Sequence, residues 1–100
     1  MSAYLLTPEA EQDLFAIWAY IARENLEAAD RVESEIYVAC AVLASAPYAG
    51  HVRPDITSLN VRFWTLPRFS RYIIVYDPVS DPLQILRILH GATDLPHQLG

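Results

Sequence analysis

Apolar and polar positions divide the chain into two kinds of pattern. A short apolar run, Tyr4-Leu5-Leu6, breaks at Thr7 and Pro8 and suits an N-terminal strand. Ala10, Leu14, Ile17, Trp18 and Ile21 then recur at helical spacing, with Gln12, Ala16 and Arg23 on the opposite side, which predicts a helix from Pro8 to about Glu24. Its start is marked by the Thr7 hydroxyl as N-cap, by Pro8 at the first helical position, and by Glu9, Glu11 and Asp13 near the positive end of the dipole. Asn25 closes this helix or caps the next. A second helix is predicted over 26–46, with Ala29, Val32, Ile36, Ala39, Cys40 and Leu43 in one stripe and Asp30, Ser34 and Ser45 away from it. Pro47 ends it, and "PYAGHVRPDITSLN" reads as a turn-rich surface connection.

From Val61 onward the period changes. "VRFWTL", "RYIIVYD" and "LQILRILH" are short β-rich runs separated by "PRFS" and "PVSDP", which predicts a three-stranded antiparallel meander. The fold class is therefore α+β: an N-terminal strand, an antiparallel helical hairpin, then the meander. Tyr72, Ile74 and Tyr76 should point one way and Ile73 and Val75 the other; in the last run Leu83, Ile85 and Leu89 should oppose Leu86 and Ile88. Both sheet faces are apolar, yet two helices cover one. The second face is expected to be shielded either by the tail "DLPHQLG" or by a partner peptide. Tyr37, Val38, Ala41 and Val42 lie off the core stripe of the second helix, where a solvated helix would carry charge, and fit either a broad core face or a partner.

Composition narrows the function. One hundred residues, 53% hydrophobic and 19% charged without low-complexity tracts, fit one globular domain. No basic flank precedes a long apolar run, which argues against a signal peptide or membrane span and makes the cytoplasm the expected compartment. The lone Cys40 is expected to be a small core residue. A net charge of -5 with no lysine disfavours direct nucleic-acid binding. Eight of the twelve acids lie between Glu9 and Glu35, and five of the seven arginines between Arg53 and Arg87, so the first half is acidic and the second weakly basic.

Several chemistries lack their residues. Gly50, Gly91 and Gly100 are too far apart for a nucleotide loop, and His51, His90 and His97 are too irregular for a metal site. No serine sits on a strand-to-helix turn, and the carboxylates of the first helix read as dipole partners on a solvated face. An arginine set remains: Arg62, Arg68, Arg71 and Arg87, with Tyr72, Tyr76, His90 and Asp94 near strand ends. Guanidinium groups bind phosphate or carboxylate, so the set suits RNA or an acidic peptide; pairing with local acids such as Asp55, Asp77 or Asp81 is the plainer alternative. Arg87, inside an apolar strand, needs a carboxylate, for which Asp94 is the candidate.

The segments "LTPEAEQDLFAIWAYIAREN", "AADRVESEI", "GHVRPDI", "SRYIIVYDP" and "ILRILHGATDLP", in this order and spacing, resemble the ParE branch of the RelE/ParE toxin superfamily over nearly the whole chain. The resemblance implies the toxic half of a type II toxin-antitoxin pair, silenced by a small ParD-like antitoxin whose C-terminal segment wraps around it. Candidate antitoxin contacts are Trp18, Tyr37, Val38, Ala41, Val42, Arg62, Trp64, Arg71 and Tyr72; candidate target contacts are Arg68, Arg87, His90, Thr93 and Asp94. RelE-like members cut messenger RNA on the ribosome with lysines, arginines and a late acid/base. Here Arg68 can stand for one arginine, Thr93 replaces another, and the lysines have no counterpart. ParE-like members poison DNA gyrase through protein contacts, which implies no catalytic residue, cofactor or metal. The alternatives are an endonuclease using Arg62, Arg68, Arg71 and His90, or a member that binds antitoxin without toxicity. Thr93 departs from the arginine that many ParE-like chains carry after "HGA".

Overall fold

The computed structural model of the protein describes residues 3–91. Its elements run β1 (Tyr4–Leu6), α1 (Pro8–Ala22), α2 (Leu26–Ser45), β2 (Arg62–Thr65), β3 (Tyr72–Asp77) and β4 (Leu83–His90). Both helix starts follow from their caps. Thr7 Oγ1 accepts from Ala10 N–H at 3.2 Å, and Asn25 Oδ1 accepts from Ala28 N–H at 3.0 Å. The first helix stops at Ala22, two residues short of expectation, because Glu24 N–H and Asn25 N–H both turn back to Ile21 O as the chain enters the second cap.

The strands form one sheet in the order β1-β4-β3-β2. The meander β2-β3-β4 is antiparallel as expected, while β1 runs parallel to β4, with Tyr4 opposite Leu83 and Leu6 opposite Ile85, so the sheet is mixed. The α1–α2 hairpin packs on one face. There Ala10, Leu14, Val32, Ile36, Cys40 and Leu43 meet Ile74, Tyr76, Leu83, Ile85 and Ile88 in the main core. All six residues of the predicted α2 stripe are buried.

On the second sheet face the connection between α2 and β2 supplies part of the apolar cover, a contribution the sequence did not announce. Val61, Phe63, Val75 and Leu89 are buried there, with Ile56, Ile73 and Leu86 packed against them. Ile56 belongs to the 47–61 connection, which folds back over the sheet. The tail from residue 92 lies outside the described residues.

A bulge sets the facing of β4. Val75 stands opposite Arg87 and Tyr76 opposite Ile85, leaving Leu86 as an extra residue. Strict alternation therefore fails: Leu83, Ile85 and Ile88 face the helices, whereas Leu86 and Leu89 join the second cluster. The expected grouping of Leu89 with Leu83 and Ile85 is wrong because the inserted residue reverses the parity of everything after it.

Cys40 is fully buried, and burial pushes its thiol up to about 12 from an ordinary 9.0. A folded-state value above the unfolded one means the stabilisation is complete below about pH 9 and is lost as pH rises towards about 12. Denaturation between about pH 8 and 11 should show stability falling by up to about 1.4 kcal/mol per pH unit more steeply in the native chain than in Cys40→Ala. Equal slopes would contradict a buried thiol.

Candidate interaction surface

Two surface hollows collect side chains that a solvated protein would not need. The first is a groove of about 560 Å³ between β1, α1 and α2, whose floor and walls include Tyr4, Leu5, Leu6, Leu14, Phe15, Trp18 and Tyr37. It exists because β1 is an outer strand of three residues, with β4 as its neighbour, and the helices do not close over its far side. Trp18 is held at the rim: its Nε1–H donates to Asp30 Oδ1 of α2 at 2.9 Å, and Phe15 stacks on it with centroids 6.5 Å apart. Phe15 is 68% exposed, and Tyr37, Val38 and Val42 continue the apolar surface along α2 at 41%, 58% and 49% exposure. Glu11 and Glu33 give the groove its charge. The Tyr37 hydroxyl is raised above its ordinary value by burial first, then by Glu33, Cys40 and Glu11, which places both carboxylates within electrostatic reach of it.

The second hollow, about 410 Å³, lies where β3 begins and β4 ends, lined by Ala16, Ile17, Tyr20, Arg71, Tyr72 and His90. Tyr72 and His90 are cross-strand partners whose rings meet edge to face at 5.5 Å. Arg68 borders an adjoining depression that shares Arg71 and Tyr72, and its Nη1 stands 3.9 Å from Glu35 Oε1.

The structure thus sorts the sequence candidates into separate places. Trp18 and Tyr37 line the groove, and Val38, Ala41 and Val42 are exposed farther along α2 without lining it. Arg71, Tyr72, Arg68 and His90 share the strand-end surface. Arg62 and Trp64 are on β2, at the opposite edge from β1. Arg62 braces the connection, its Nη1–H donating to Gly50 O at 2.8 Å and Tyr48 O at 3.3 Å with the guanidinium 5.0 Å over the Tyr48 ring, while Trp64 packs against the main core. Arg87 meets Asp13 of α1: Nε–H and Nη2–H donate to the two carboxylate oxygens at 2.7 and 3.0 Å. Asp13 is accordingly half-buried, correcting its placement on a solvated face, and the proposed Asp94 partner lies outside the described residues, as does Thr93. Among the described residues no three His, Cys, Asp or Glu side chains stand close enough to share a metal ion, and no helix is long and apolar enough to cross a membrane.

Sequence reasoning missed Phe15 and Tyr20, which are 68% and 72% exposed. Their signal was present: both are aromatic side chains outside the α1 core stripe. It also missed Glu11 and Glu33, because only the fold brings β1, α1 and α2 around one space.

The family described as the ParE toxin of the type II toxin-antitoxin system parDE matches residues 4–95. The chain belongs to the ParE toxin family. Among solved structures, this ParE-family fold is similar to a chain of the chromosomal ParDE toxin-antitoxin system from P. aeruginosa, with a TM-score of 0.72 and 27% sequence identity. The match covers 90% of this chain and 96% of that one. No curated protein matches the sequence. As a family member the chain is a type II toxin, and its α+β architecture with a mixed sheet is that of the ParE-like fold.

Proposed function

We propose that this toxin acts as a single domain in the cytoplasm, that a ParD-like antitoxin silences it by seating a segment in the β1/α1/α2 groove, and that it inhibits DNA gyrase by protein contact without chemistry of its own. The observation that carries the antitoxin site is the concentration of exposed large apolar side chains there: Leu5, Phe15 and Tyr37 line the groove, and Val38 and Val42 are exposed on the same helix as Tyr37. The P. aeruginosa neighbour comes from a ParDE system, which supports a partner of the same kind. The strand-end surface, with Arg68, Arg71, Tyr72 and His90, is the candidate target contact.

That surface also favours, at first sight, the endonuclease alternative, since arginine, tyrosine and histidine meet in one hollow. Metal-free RNA cleavage depends on preorganised positive charge and a proton acceptor. Here Arg62 braces backbone carbonyls, Arg68 stands near Glu35 and Arg87 is held by Asp13, which leaves Arg71 as the hollow's main cation. Expression without antitoxin should arrest growth, and purified toxin should cause gyrase to accumulate cleaved DNA. Trp18→Ala with Tyr37→Ala should weaken antitoxin binding by about tenfold or more while growth arrest persists. Codon-linked cuts found by primer extension on messenger RNA would overturn the gyrase assignment.

A further inference from the structure

The helical layer is strongly acidic. Residues 7–46 carry eight acids and two arginines, a net charge of -6, whereas residues 47–91 carry five arginines and three acids, a net charge of +2. Within the acidic layer several carboxylates already have partners. Asp13 binds Arg87, Glu35 stands 3.9 Å from Arg68, and Asp30 accepts from Trp18. Glu11 and Glu33 differ: both line the groove, neither makes an ion pair among the described residues, and no arginine lines that groove. Open to water, two such carboxylates are well solvated. Covered by an apolar segment they would lose that hydration without compensation, so a purely aliphatic occupant would bind against a desolvation penalty at its own docking site.

We infer that the segment seated in the β1/α1/α2 groove presents an arginine to Glu11 and Glu33, flanked by apolar side chains that lie on Leu5, Phe15, Trp18 and Tyr37. The inference rests on the antitoxin site proposed above and adds the chemistry of its occupant. Arginine fits better than lysine for two reasons visible in the lining. Its fork of donors can reach two carboxylates at once, and its weakly hydrated plane tolerates contact with the rings of Tyr4, Phe15, Trp18 and Tyr37 in the wall. The net charge of -6 on the helical layer would also draw a basic segment towards this face.

The test uses overlapping peptides from the antitoxin encoded beside the toxin gene, titrated against the intact toxin and its Glu11→Gln, Glu33→Gln and Trp18→Ala variants. The tightest peptide should contain an arginine. Its affinity should fall by about tenfold in each glutamine variant at low salt, with the difference shrinking as salt is raised. Arginine-to-glutamate in the peptide should abolish binding to the native toxin and be partly rescued by Glu33→Arg, and arginine-to-lysine should weaken it. The free Glu33→Gln variant should melt at or above the native temperature, since it removes one of two like charges, whereas Glu11→Gln also gives up a charge in the first turn of α1 and should melt slightly lower; a purely structural role for Glu33 would lower the melting temperature of its variant. If Trp18→Ala weakens the peptide but the glutamine variants do not, the charge inference fails and the groove stands. If none of the three variants changes affinity, or no peptide binds, the groove itself is the wrong site.

Discussion

Asp13→Ala is expected to lower the unfolding free energy by about 3 kcal/mol, a fall of roughly 15 °C in Tm for a domain of this size. The effect is large because Asp13 is a junction between layers. Beyond Leu6, where β1 ends, Thr7 N–H still donates to Ile85 O and the Thr7 hydroxyl to Leu86 O, at 3.0 and 2.9 Å. From there α1 takes over the edge of β4. Asp13 accepts from the Arg87 guanidinium through both oxygens and from Ile88 N–H at 3.0 Å. The two side chains are 16% and 24% exposed, so removing the carboxylate takes two charge-assisted hydrogen bonds from a half-buried guanidinium and the side-chain acceptor from the Ile88 amide. The Asp13 hydrogen bond holds Arg87 above its ordinary value, and the guanidinium stays charged throughout the accessible pH range. Denaturant titrations of Asp13→Ala, Arg87→Ala and the double variant should give a coupling energy of about 2 kcal/mol. Additive single effects would show that the pair does not tie α1 to β4. The Arg53–Asp55 pair makes the contrast: both side chains are well exposed, and its loss should be close to neutral.

Gly50→Ala should cost a similar amount, about 3 kcal/mol, by a different route. The strain is not conformational, since no glycine among the described residues has positive φ. It is a close approach. A Cβ at position 50 would lie 2.5 Å from the Tyr76 hydroxyl oxygen, 2.9 Å from Tyr76 Cε1 and 3.0 Å from Phe63 O. Tyr76 is fully buried, and its hydroxyl accepts from Gly50 N–H at 2.9 Å while donating to Pro47 O at 2.7 Å. The ring cannot retreat into a packed core, so the connection must lift away from β2. That movement breaks the paired bonds between His51 and Phe63, each 2.8 Å. Tyr76→Phe should cost about 1–2 kcal/mol by leaving Gly50 N–H and Pro47 O unpaired. The double variant should cost less than the sum, because removing the oxygen relieves the shortest contact. Thermal melts of the three variants test this; full additivity would mean that Gly50 and Tyr76 do not share one space.

Much of the fold was legible along the chain because its signals are local. Thr7, Pro8 and the acidic first turn mark the start of α1, and six apolar positions at helical spacing identify the buried stripe of α2. The meander follows from three β-rich runs of suitable length. Where expectation failed, a non-local event intervened. Leu86 carries nothing in its identity to announce a bulge, yet that extra residue reverses the facing of Ile88 and Leu89. The 47–61 connection looks like an exposed turn-rich segment, yet Tyr76 and Arg62 pin its backbone and Ile56 packs on the second sheet face.

Sequence alone therefore settled what depends on neighbours within a turn or a strand: helix caps, apolar stripes, the α+β class, and the excess of acid in the first half over the second. It also carried the family resemblance, through turn residues and spacing. Tertiary structure decided which distant groups meet. Asp13 and Arg87 are 74 positions apart and become partners only because α1 crosses the edge of β4. Glu11 and Glu33 share a groove with Phe15 and Trp18 only because the hairpin stands open beside a three-residue edge strand. Backbone preferences act over a few residues, whereas burial, hydrogen bonding and charge act through space, and the interaction surface of this toxin belongs to the second kind.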